Sequence, residues 1–102
     1  MLTKLLSALA IDRDPDILAN IAHVLAHQGF RIATRTSPED SLEYVRRARP
    51  HIVLLDLSFW QDGWGIEILD ASPESVVIPV IGSPSAPWLR ETVAAAMGPD
   101  AA

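Results

Sequence analysis

Apolar and polar positions follow two rhythms along this chain. Short apolar or β-branched runs at Leu5–Ile11, Phe30–Thr34, His51–Leu57 and Val76–Gly82 read as four strands. Between the first two, Ile17, Leu18, Ile21, Val24 and Leu25 fall within roughly a third of a helix circumference at about 100° per residue. Asp14 and Pro15 supply an N-cap and a first-turn proline for that helix, and Gly29 closes it near Gln28. Ser37-Pro38 repeats the opening signal for a second helix, which turns Leu42, Val45 and Ala48 inward and stops before Pro50. Ser58–Gly65 reads as a loop, Ile66–Ala71 as a short weak helix, and Ser83–Pro87 as a turn. Trp88–Met97 is a last helix closed by Gly98-Pro99. Strict βαβαβαβα alternation with short connections predicts an α/β domain: a doubly wound parallel sheet with helices on both faces.

The third strand, HIVLLDL, organises this reading. A run so apolar is buried on both faces, and a carboxylate is tolerated in it only where the strand ends. Asp56 is therefore expected at the carboxyl edge of a central strand. The turns after the first, third and fourth strands carry Asp12 and Asp14, Asp56, and Ser83 to that same edge, where open α/β sheets keep their chemistry. Acidic groups converging on such a crevice suggest a divalent cation or a phosphoryl group, since unpaired like charges repel.

Composition narrows the options. At 102 residues, 49% hydrophobic and 21% charged, the chain suits one ordinary globular domain, 1–102. A net charge of −5 argues against direct nucleic-acid binding, and Arg46, Arg47 and Arg49 are accounted for by the end of an amphipathic helix. Without cysteine there is no disulfide, thiolate nucleophile or zinc knuckle. The first eleven residues lack a cleavage site and are too few to span a bilayer, so no membrane role and a cytoplasmic location are expected.

Three segments, in order, resemble response-regulator receiver domains. Ile11-Asp12-Arg13-Asp14-Pro15-Asp16 resembles their first acidic turn. Pro50–Leu57 with Asp62-Gly63 resembles the phosphoacceptor strand and its loop, and Ile78-Pro79-Val80-Ile81 the fourth strand. The resemblance covers about Leu5 to Gly98. It implies a flavodoxin-like sheet in the order 2-1-3-4 and a module of two-component signalling that is not itself an enzyme. Asp56 would accept a phosphoryl group from a histidine kinase. A magnesium ion would be held by Asp12, Asp14, Asp56 and the backbone carbonyl of Ser58, and the hydroxyl of Ser83 would grip the phosphoryl group.

The chain also departs from that pattern. Arg13 stands where the family has its second acid; a guanidinium cannot ligate magnesium and competes with it, so Arg13 is expected to hold Asp56 in a fixed ion pair. Asp14 could replace the missing ligand, but it is also the best N-cap for the first helix. The family's fifth strand, fifth helix and their lysine are not matched, and Lys4, the sole lysine, belongs at the opposite end of the sheet. The fourth strand would then be an apolar edge, best covered in a homodimer with Val80 and Trp88 at the interface. An alternative function follows: a degenerate receiver that acts by protein–protein contact without phosphorylation. A small flavin-binding protein of the same topology is disfavoured, because the first turn offers carboxylates and no glycine- and hydroxyl-rich phosphate cradle.

Other chemistry-bearing residues have plainer readings. His23 and His27, four apart, have metal-binding spacing but lie opposite the apolar stripe, which favours a solvated face. His51 is structural. Trp60, Trp64 and Trp88 anchor loops, or else form an interface.

Overall fold

The computed structural model describes residues 6–98. In chain order these form β1 (Leu6–Ile11), α1 (Pro15–His27), β2 (Phe30–Arg35), α2 (Ser41–Ala48), β3 (Ile52–Asp56), α3 (Leu57–Gln61), α4 (Trp64–Ala71), β4 (Val76–Val80) and α5 (Ala86–Met97). Leu5 and Lys4 lie outside the described residues. The four strands make one parallel sheet in the order β2-β1-β3-β4, as expected.

Side-chain alternation divides the core into two layers. Ala8, Ala10, Ile52, Leu54 and Val80 pack against Leu18, Ile21 and Leu25 of α1 and Leu89 and Val93 of α5. Leu9, Ile11, Val53 and Leu55 point the other way, onto Val45 of α2, Phe59 of α3 and Ile68 of α4. Residues 52–55 are therefore buried on both sides, which is why that run carries no polar residue before Asp56. At the opposite end of the sheet, His51 Nδ1 accepts the Ser7 N–H at 3.1 Å and lies 3.2 Å from its hydroxyl, a structural role.

Three elements differ from the sequence expectation. The helix expected from Ser37-Pro38 begins one turn later, because those residues form a turn in which the Ser37 and Pro38 carbonyls accept the Ser41 hydroxyl and N–H. The last helix begins at Ala86, two residues before the expected Trp88, because Ser85 of the opening turn caps it, its hydroxyl accepting the Trp88 N–H at 3.2 Å. The largest difference is Ser58–Gly65, which is not a loop. α3 follows β3 without a connection and sinks Phe59 into the core; Gly63, at φ +95°, then redirects the chain into α4.

The α3–α4 corner is closed by Trp60 lying over Gly65. A Cβ on Gly65 would stand 2.5 Å from Trp60 Cε3. Alanine normally stabilises a helix position by about 0.5–1 kcal/mol over glycine, but forcing an aromatic ring aside costs about 1–3 kcal/mol. Gly65→Ala should therefore lower the denaturation midpoint and alter tryptophan fluorescence. A midpoint at or above wild type would show that Trp60 does not pack there.

Candidate functional site at the carboxyl edge of the sheet

β1 and β3 are neighbours; at the same edge, β3 ends in an acidic residue and β1 is followed directly by one. Asp12 continues the ladder past β1, its N–H donating to the Arg35 carbonyl at 3.2 Å, and Asp56 is the last residue of β3, opposite Val80 of β4. Asp12 is only 5% exposed, whereas Asp56 is half-buried. Asp12 Oδ1 accepts the Asp14 N–H at 2.9 Å, but Oδ2 is buried with no hydrogen-bond partner. Burial raises the Asp12 carboxyl above its ordinary value of 3.8. The Asp14 N–H opposes this, the charges of Asp56 and Asp14 add to it, and Arg13 opposes it.

The remaining expected ligands are engaged elsewhere. Asp14 Oδ1 accepts the Asp16 N–H at 2.9 Å and caps α1. The Ser58 carbonyl, expected to face a metal, accepts the Asp62 N–H within α3 at 3.2 Å, because helix begins immediately after Asp56. It is the Ser58 hydroxyl that meets the site, donating to Asp56 Oδ2. Ser83 lies exposed in the turn after β4, three residues beyond that strand's end.

Arg13 also behaves differently from expectation. Among the described residues it forms no ion pair with Asp56. Its Nη1 donates to Ser58 Oγ at 3.3 Å, so its charge reaches Asp56 through that hydroxyl. The guanidinium lies 4.5 Å from the centre of the Phe59 ring, a cation–π contact that holds it in place. Sequence reasoning missed both Phe59 and Asn20. Asn20 Nδ2 donates to the Pro84 carbonyl at 3.1 Å and ties the turn bearing Ser83 to α1. An exposed asparagine on a helix carries no signal of such a link.

The buried, unpartnered Asp12 Oδ2 beside Asp56 is an oxygen that a cation would satisfy, and magnesium, which keeps several waters, usually takes only one or two carboxylates. Among the described residues no third acidic or imidazole side chain joins that pair.

The interface residues divide as well. Val80 is 1% exposed and belongs to the α1–α5 core layer, so it cannot meet a partner; the alternation that exposes Pro79 turns Val80 inward. Trp88 is 39% exposed and, with Pro79, Ile81, Pro84 and Ser85, lines an apolar groove beside β4.

Comparison with solved structures decides the fold. NtrX from Brucella abortus, a response regulator solved in complex with ADP, superposes with a TM-score of 0.79 over 92% of this chain, at 20% sequence identity. The chain has the receiver-domain fold. It spans 26% of that NtrX chain. Protein Rrf1 from Nitratidesulfovibrio vulgaris is 35% identical over 57 residues, which are 56% of this chain and 41% of Rrf1. No family model matches the chain. No helix among the described residues is long and apolar enough to cross a membrane.

The raised Asp12 value gives a signed expectation for the receiver fold. A folded value above the unfolded one imposes no penalty below the unfolded value, and the penalty grows as pH rises through the folded one. Asp12→Asn should therefore raise the melting temperature at neutral pH by a few degrees, and the gain should vanish on acidification toward pH 3.8. Thermal melts of both proteins across that range check it; a gain independent of pH would mean that the charge on Asp12 is not the cause.

Proposed function

We propose that this chain is a receiver-like module of two-component signalling that acts by binding another protein, without accepting a phosphoryl group. The observation that carries this reading is the chain Arg13–Ser58–Asp56. One oxygen of Asp56 is capped by a hydroxyl that an arginine polarises, and the carbonyl that would complete a metal site accepts the Asp62 N–H at the end of α3. A carboxylate so arranged has a resident positive charge nearby, which competes with the divalent ion that would neutralise an incoming phosphoryl group.

A second reading keeps Asp56 as the phosphoacceptor of a histidine kinase. Asp12 Oδ2, buried and unpartnered beside Asp56, favours it, because such an oxygen is satisfied by a cation arriving with the phosphoryl donor. Intact mass after incubation with acetyl phosphate, with and without magnesium, separates the two. No adduct is expected on wild type. A magnesium-dependent phosphoryl adduct that disappears in Asp56→Asn would establish the second reading and sink the first.

The partner surface in this proposal is the β4 side. β4 is an edge of the sheet and carries no charge from Val76 to Gly82, and beside it Ile81, 76% exposed, rises from the rim of the groove that it lines with Pro79, Pro84 and Trp88. A protruding side chain and a groove on one face are self-complementary across a two-fold axis, so the occupant proposed is a second copy of the chain. Pro79 offers no N–H, so side chains, not an extended ladder, would make most of that contact. Light scattering at micromolar concentration should give a dimer mass that Ile81→Lys returns to the monomer; a monomeric wild type would refute the pairing.

A further inference from the structure

α1 carries a pair of groups that the carboxyl-edge site does not use. His23 and His27 are both exposed, one turn apart, on the face opposite the core stripe of Leu18, Ile21 and Leu25. Their rings do not point into solvent independently; the ring centres lie 4.5 Å apart and the planes are tilted by 45°. We infer that His23 and His27 form a bidentate site for a borderline divalent ion, nickel or copper, on the outer face of α1.

Three observations support this. The first is separation. A metal about 2.1 Å from each ligating nitrogen lies about 3.2 Å from each ring centre, so cis ligands at a right angle put the centres ~4.5 Å apart and tetrahedral ligands ~5.2 Å. The observed 4.5 Å spacing keeps both rings within reach of one ion, and imidazole pairs favour nickel and above all copper among the first-row divalent ions. The second is position. His27 is the last residue of α1, where the helix dipole presents its negative end and a cation is favoured. The third is competition. The only other histidine, His51, has its Nδ1 occupied by the Ser7 N–H, so the pair on α1 is the imidazole site this chain offers.

A metal there would tie His23 to His27 across the last turn of α1. That turn carries Val24 and Leu25 into the layer shared with α5, so binding the ion should stabilise the fold without touching Asp12 or Asp56. Two protein ligands leave the other coordination positions to water, which suits reversible binding of a free ion and not a permanently held one.

Calorimetric titration of the tag-free chain with nickel chloride at neutral pH tests the inference. One ion per chain should bind, each of His23→Gln and His27→Gln should weaken binding at least tenfold, and Asp12→Asn and Asp56→Asn should leave it unchanged. Nickel should also raise the melting temperature of wild type and of neither histidine variant. A smaller loss in the single histidine variants, loss in the aspartate variants, or no saturable binding by wild type would overturn it. Because both substitutions lie on an exposed face, circular dichroism of the variants should match wild type.

Discussion

Two carboxylates brought together at the dry end of a parallel sheet set the terms for the rest of this molecule. β1 and β3 must lie side by side for the sheet to close its two core layers; β3 ends in an aspartate and β1 is followed directly by one. Asp12 is buried with one oxygen unsatisfied, so its charge is disfavoured from the start, and the nearby charge of Asp56 makes it worse. Something positive or protic has to stand at that edge. Here the described residues supply Arg13 just past β1 and a serine hydroxyl at the start of α3.

That arrangement depends on where the helix after β3 begins. Because α3 starts directly after Asp56, the first turn of the helix presents the Ser58 side chain to the site and turns its carbonyl along the helix axis, toward Asp62. The same turn drives Phe59 into the core layer and puts its ring under Arg13. A single backbone event thus turns the Ser58 carbonyl along the helix, supplies a hydroxyl cap and sets the ring on which Arg13 lies. Gly63 and the packing of Trp60 on Gly65 allow two short helices to occupy this stretch without lifting Phe59 out of the core.

Most of the architecture was legible in the residues, and the reasons are physical. Period-two and period-3.6 patterns located all four strands and the helices around α1, and the double burial of β3 could be read from its lack of polar residues before Asp56. α4 was legible from Ile66 onward, but α3 and the first turn of α4 read as a loop, although Trp60, Trp64, Ile68 and Ala71 recur at helical spacing, because Asp62-Gly63 dominates the local signal. Val80 was misplaced for a different reason: in an edge strand of mixed exposure, periodicity does not say which face the neighbouring helices cover. At the site, Asp12, Asp56 and the capping role of Asp14 could be anticipated from sequence. The indirect route from Arg13 to Asp56 could not, since it depends on a side-chain position that only the helical start of α3 creates.

The likeness to NtrX bears on the sheet and its helices, and the departures bear on the chemistry. A receiver fold places acids at the carboxyl edge whatever those acids then do, so shared topology at 20% identity cannot carry the function across. What differs is local charge compensation. A site neutralised by a bound ion changes state when the ion or a phosphoryl group arrives, whereas one neutralised by a resident arginine has its counter-charge built into the fold. With Arg13 stacked on Phe59 and linked to Asp56 through Ser58, any change of state at this edge has to break that hydrogen-bonded link.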